Sequence, residues 1–290
     1  MFPAKLVFLP ILAFFAAVPC SAQSPDEYRK MLDDAMKSGG PSGGQSVQWD
    51  ARLKKISGEV LLKSSEAAEW VAIDAAEVPL DPDDLVKTGA SGAAEIYIEN
   101  QGVIALGRNT ELEIRNMEKE DSELKLLLGS IVAKIEKFAM NKRKLSVRTP
   151  SAVCAVRGTE FAVEHSRFNN ETAAAVFEEG SVSFMPLDKD GKELGEYVLE
   201  PNTEIFASAQ IKRHKAVRLS RMMKHRGQIA RNRERVRALR KNWKPLSMER
   251  RDAVRRAALR KNIMRPELDG PVKKKVRPAR AKTKPARTGR

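Results

Sequence analysis

The sequence predicts a mainly β chain: a roll, a sandwich or a short β-solenoid of many short strands, followed by a basic α-helical C-terminal extension and a disordered tail. Two observations carry this. Between residues 53 and 209, apolar residues alternate with polar ones or gather in short runs, and Gly, Asn, Asp or Pro breaks them roughly every ten residues. Beyond residue 210 that punctuation gives way to Arg, Lys, Ala, Leu and Met in helical spacing.

Residues 1–22 read as an export signal. Lys5 gives a positive start, residues 6–18 form an apolar run of 13, and Cys20, Ser21 and Ala22 supply small residues for cleavage before Gln23. The run is shorter than the ~20 residues a spanning helix needs. A single-pass anchor is thus the weaker rival; a lipid anchor on Cys20 is a further alternative, and Pro19 stands against it where a small residue is wanted. Cleavage places the mature chain in the periplasm and leaves Cys154 as the one thiol, with no intramolecular disulfide and no Cys-type metal cluster available. Between Val153 and Ala155, Cys154 reads as a small buried hydrophobe, with a reactive thiol as the alternative.

Residues 23–47 read as a short helix and a Gly/Ser linker, with Asp26 and Glu27 in the first helical turn, Lys37 in the last, and the linker at 38–44. The β-domain is expected over 48–209. Residues 95–99 and 111–115 alternate as half-buried strands, and 100–102 sits at a hairpin position. Residues 124–128 and 131–135 are apolar enough for two buried strands separated by Gly129. Asp188 to Gly191 forms a turn joining 182–184 to 197–199. Residues 145–148 and 161–163 flank a Thr149-Pro150 break and an Arg157-Gly158-Thr159 turn. Pro150 cannot donate a ladder hydrogen bond, and Gly158 readily takes positive φ.

In the basic helical region, 210–264, helical composition begins at His214. Met222, Ile229, Val236 and Trp243 recur every seven residues, with Leu239 and Leu246 on the adjoining row. So narrow a stripe reads as a seam against the chain itself or a partner helix, in preference to a membrane face. Pro245 interrupts the helix at Lys244, and Ser247 can cap a second one, with Glu249 near its positive end. Residues 265–290 have almost no large apolar side chains and are expected to be disordered.

Charge divides along the chain. Residues 211–290 hold 30 Lys and Arg against 5 Asp and Glu, whereas residues 1–210 hold 23 against 33, so the overall +15 describes neither part. The basic end reads either as a solvated helical hairpin with a soluble tail, or as an anchor for lipid head groups, cell-wall polymer or an acidic protein. Nucleic acid becomes a partner only if the leader stays uncleaved.

Thr149-Pro150 followed by Arg157-Gly158-Thr159-x-Phe161 resembles the core signature of the FecR domain, a periplasmic all-β module best known from a protein that relays a ferric-citrate signal. Residues 57–60 resemble its opening strand, and Trp70 falls where the family carries Trp. Asp84 to Gly89 is similar to its Gly-Asp-x-Val-x-Thr element, with Asp83 in place of the usual Gly. Residues 110–114 and 128–132 match later elements, and Glu178 to Val182, with Gly180, its closing one. The resemblance implies a FecR-like β-domain in which Thr149, Pro150, Arg157, Gly158, Thr159, Phe161 and Gly180 are structural signature residues, not catalytic ones. It also implies a cytoplasmic anti-sigma segment ahead of a membrane helix. None precedes the leader, so the expected partner is another envelope component.

No catalytic, cofactor or metal motif is present. His165, His214 and His225 form no zinc pattern, and His165, at a strand end, reads as a surface histidine. Asp81, Asp83 and Asp84 form an acidic turn without the spacing of a calcium loop. Asn170-Glu-Thr172 matches a glycosylation acceptor, discounted because the family is bacterial. The expected function is an exported, non-enzymatic protein that binds or scaffolds envelope partners, its cationic tail meeting anionic surfaces. A periplasmic signal-relay component acting with a transmembrane regulator is the alternative, and an enzyme acting on cell-wall polymer is the second.

Overall fold

A computed structural model describes residues 48–67, 69–74, 77–137, 144–208, 210–211 and 213–263, all within one structural unit. The expected export signal, the 23–47 helix and linker and the 265–290 tail lie outside them.

Strands, numbered along the chain, fall into two sheets that share one member. One sheet runs in space as β4 (Val78–Pro79), β1 (Ala51–Ser57), β6 (Ala93–Ile98), β7 (Gly102–Leu106), β9 (Asp121–Ile135), β12 (Glu160–Ser166), β13 (Glu171–Val176), β16 (Thr203–Ala207) and β17 (Val217–Arg218). The other runs as β3 (Val71–Ala72), β2 (Val60–Lys63), β5 (Leu85–Thr88), β8 (Glu111–Met117), β9, β10 (Lys144–Arg148), β11 (Ala152–Val156), β14 (Val182–Pro186) and β15 (Tyr197–Leu199). All pairings are antiparallel except β9 with β10, which is parallel. Leu53, Ile96 and Phe161 of the first sheet and Leu62, Leu112 and Phe184 of the second meet in one core, giving a two-layer roll.

The spine is β9. Residues 124–128 and 131–135 form one strand, where the sequence reads as two. Its first half pairs with β8 and β10 and its second with β7 and β12. Ser122, Leu124 and Leu126 are buried in the first half, and Ile131, Ala133 and Ile135 line the core in the second. The inward phase therefore moves from even to odd positions, and the shift is absorbed around Gly129, at φ +93°. Other crossings between the sheets also fall at glycines: Gly58 after β1, Gly89 after β5, Gly107 after β7, Gly158 after β11 and Gly180 after β13.

The two sheets differ on their outer faces. Strands β6, β7 and β13 are buried almost throughout, on both faces, whereas β8 and β10 alternate buried and open positions. Helices make the difference. A 3₁₀ turn (Arg221–His225) leads into α1 (Arg226–Asn242), which crosses the first sheet over β7 and β9, and α2 (Met248–Ile263) packs at β3 and β4. The helical region thus starts at Arg221, not His214, because Val217 is drawn into a pairing with Glu204 and extends the β-domain past residue 209. Pro245 separates the helices as expected, and Ser247 caps α2 through the Arg250 N–H at 3.4 Å.

The seven-residue stripe is an intramolecular seam. Met222 and Ile229 lie against Val132, Ala162, Ala173 and Ala175, and Val236 against Tyr97 and Val103. Small alanines on the sheet let the helix approach. Burial of Met222, Ile229 and Val236 contributes roughly 1.5–3 kcal/mol each. At the end of the stripe, the Arg52 guanidinium lies 4.0 Å above the Trp243 ring and also donates to the Lys244 carbonyl at 2.8 Å.

Candidate interaction surfaces

Three regions gather the polar side chains of the roll, and the first is the crossing corner. Gly158 has φ +81°, and a Cβ there would stand 2.4 Å from the Lys137 Cα. Gly180, at φ +83° on the next crossing, would place a Cβ 2.5 Å from the Thr159 Cβ and 2.6 Å from the Gly158 carbonyl oxygen. Only glycine meets both the backbone and the space requirement at these positions. The buried Thr159 hydroxyl donates to the Glu179 carbonyl, and Phe161 enters the core just beyond. Arg157 is exposed. Thr149 and Pro150 lie away from this group, on the β10–β11 turn.

That turn belongs to the second region, where the β10–β11 and β12–β13 hairpins turn back within their own sheets. Side chains bridge the sheets there. Thr149 Oγ1 accepts the Ala152 N–H at 2.9 Å, which shapes the turn. Thr172 Oγ1, from β13 of the opposite sheet, lies 2.7 Å from Thr149 Oγ1, 2.7 Å from Ser151 Oγ and 3.0 Å from His165 Nδ1. All four side chains are buried. His165 is thus a core residue and not the surface histidine its strand-end position predicts, because its inward phase on β12 turns it to Thr172. Burial, then the nearby Arg167 charge, lowers its pKa and favours the neutral ring. Next to this bridge lies a groove of about 190 Å³, lined by Ser151 and Asn170, by apolar Leu187, Leu194, Ala207 and Ile211, and by Asp188, Lys189 and His214.

In the third region, acidic side chains of the roll hold the basic helices. Arg233 forks onto the fully buried Glu160 with two bonds of 2.6 Å and reaches Glu178 at 2.7 Å. Burial would raise the Glu160 carboxyl, but Arg233 and Lys134 outweigh it and the net pKa falls. His225 and Lys224 meet Glu164 at 2.7 and 2.8 Å. Against the upward push of burial, their hydrogen bonds bring that carboxyl down to about 2. Asn232, fully buried in α1, donates to the Val132 carbonyl at 2.8 Å. On α2, Arg255 forks onto Asp84 at 2.7 and 2.8 Å and also donates to the Pro79 carbonyl and the Ser64 hydroxyl.

The acidic turn is therefore an arginine socket. Asp81 and Asp84 face Arg251 and Arg255, and burial pushes the Asp84 carboxyl up against the pull of Arg255. Asp83, where the family pattern has Gly, sits at φ +63°, so the glycine-like turn survives the replacement. A more open groove of about 550 Å³ adjoins this socket, lined in part by Ser64, Ser65, Asp252 and Arg256. The helices are docked through these pairs and do not form the solvated hairpin that composition allows. What sequence reasoning missed is the receiving face; its signal was carboxylates (Glu95, Glu160, Glu164, Glu204) set inside strands otherwise apolar enough for double burial. Cys154 is fully buried, and burial pushes its thiol up to about 12, which removes thiolate chemistry at neutral pH.

The family model described as FecR protein matches residues 84–183, the stretch from the arginine socket through both crossing glycines to β14. This segment is similar to a FecR domain. The β9 spine, polar bridge and crossing corner lie inside the matched FecR segment, whereas α1 and α2 lie outside it. Two crystal structures of a candidate anti-sigma factor from Parabacteroides distasonis ATCC 8503, at 2.50 and 1.65 Å, also match. Each is 14% identical, with TM-score 0.40, over 48% of this chain and 61% of that one. The likeness thus spans about three fifths of that protein's length. No curated protein matches the chain.

Proposed function

We propose that the chain is an exported, non-enzymatic FecR-domain protein that binds partners at the cell envelope as part of a signal relay. The observation that carries this reading is the match of residues 84–183, at the centre of the roll, to the FecR family model. The polar chemistry of the roll supports it. Carboxylates with displaced pKa values, Asp84, Glu160 and Glu164, are each engaged by a basic residue of the helices; these partners lower Glu160 and Glu164, whereas burial raises Asp84 against the pull of Arg255. Surface is then what the molecule offers: the groove beside the polar bridge and the open outer face of the second sheet. Export rests on the apolar leader.

The cationic reading narrows. Lys224, Arg233, Arg240, Arg251 and Arg255 are engaged by acids beneath them, so anionic partners meet the exposed Arg237, Lys241, Arg250, Arg256 and Arg260 and the basic residues beyond 264. Fractionation of cells carrying a C-terminally tagged chain tests localisation: a shortened, periplasmic product is expected, and an unprocessed cytosolic one defeats the export reading. In-cell cross-linking tests the relay. Capture of a transmembrane regulator supports it, whereas recovery of cell-wall polymer alone moves the reading to scaffolding.

A further inference from the structure

The β12–β13 hairpin ends in Arg167, Phe168, Asn169 and Asn170, and Phe168 is 92% exposed, the most open large apolar side chain among the described residues. Nothing in the roll requires an aromatic there. Two residues on, Asn170 lines the groove whose walls include Leu187, Leu194 and Ile211. Knob and socket therefore sit side by side on one face. The socket, about 190 Å³, exceeds the roughly 150 Å³ cavity that accepts a benzene ring.

From this juxtaposition we infer that the chain self-associates as a two-fold dimer, with Phe168 of each copy seated in the Leu187–Leu194 groove of the other. Because knob and socket share one face, turning one copy by half a revolution onto the other satisfies both contacts at once and closes the pair. Charge agrees with the pairing. Arg167, exposed although it also reaches Glu111 at 3.2 Å, flanks the knob, and the loop beside the socket carries Asp188, Asp190, Glu193 and Glu196 against Lys189 and Lys192. Leu194, 54% exposed, and Val198, 53% exposed, add apolar surface on the socket side. The inference stands apart from the signal-relay reading, since either can fail alone.

Sedimentation velocity of the full chain over a concentration series tests it. A monomer–dimer equilibrium weakened by salt is expected. Phe168→Ser, at an exposed tip, should leave the thermal melt unchanged and raise the dimer Kd at least tenfold. Leu194→Asp should do the same from the socket side. Mixing these two variants restores one of the two contacts, so the mixture should dimerise more strongly than either variant alone. A monomer at every concentration, a dimer indifferent to both substitutions, or filaments without closure each overturn the inference. So does Phe168-dependent flotation with anionic vesicles in a chain that stays monomeric, which would make the tip a membrane wedge.

Discussion

Replacing Arg255 with Met keeps the aliphatic bulk but strips Asp84 of its guanidinium partner. Asp84 is fully buried, and its Oδ2 would keep the Asp81 N–H at 2.9 Å. Breaking a buried ion pair from one side costs about 3–5 kcal/mol, because the surviving charge remains out of water. Protonation limits that cost. An ordinary aspartate at pH 7 lies about three units above its pKa, and at 1.36 kcal/mol per unit neutralising it costs about 4 kcal/mol. The expected loss is therefore about 3–4 kcal/mol at pH 7.

The limit also fixes a pH dependence. In the variant, the folded-state pKa of Asp84 rises well above its unfolded value, so the folded chain holds an extra proton between the two. Stability in that window falls as pH rises. The penalty should then shrink by about 1.4 kcal/mol for each unit from pH 7 towards pH 5. Guanidinium titrations of wild type and Arg255→Met at both pH values, followed by tryptophan fluorescence and circular dichroism, measure it. The added change Asp84→Asn should recover much of the loss. A penalty under 1 kcal/mol, or one that does not change with pH, refutes the arginine socket as a structural tie.

Asp83→Gly relieves a left-handed position and should stabilise the chain by about 0.5 kcal/mol, a rise of about 1–2 °C in Tm by calorimetry. Gly158→Ala meets both positive φ and the Lys137 backbone, and should cost about 2–4 kcal/mol in a denaturant titration. The carboxyl of Glu164 is held at about 2, below the ordinary range, and its side chain is 18% exposed. Its contribution, up to about 3 kcal/mol, is complete above the unfolded value and lost as pH falls from about 4.5 towards 2. Urea midpoints should therefore drop more steeply between pH 5 and pH 3 in wild type than in Glu164→Gln.

Much of the roll was legible because strand period and turn chemistry are local. The alternation of 111–115, the Asp188 turn and the crossing glycines each announce themselves within a few residues. Gly129 was visible as a break, but one chain position cannot say whether a strand stops or carries on with its phase inverted. The pairing partners on both sides of β9 decide that. His165 and Glu160 were misjudged or overlooked for a related reason: period two gives the face of a strand, not what covers it. Tyr97 and Glu95 look solvent-facing in an alternating strand, and only the arrival of α1 buries them. The seven-residue stripe gave the face of α1 that seeks cover, while the alanines and carboxylates awaiting it were dispersed over β12, β13 and β16.

Because β9 belongs to both sheets, it also governs where the chain can change in length. One residue added within it would turn the following side chains to the opposite face, out of the shared core and into the helix seam, and would slip the ladders with β7 and β12 together. The 167–170 and 188–196 tips end hairpins that return along their own sheet, so added residues there leave both ladders untouched. Variation among chains built on this plan should concentrate at that free rim, which makes the rim the place where one such chain is distinguished from another.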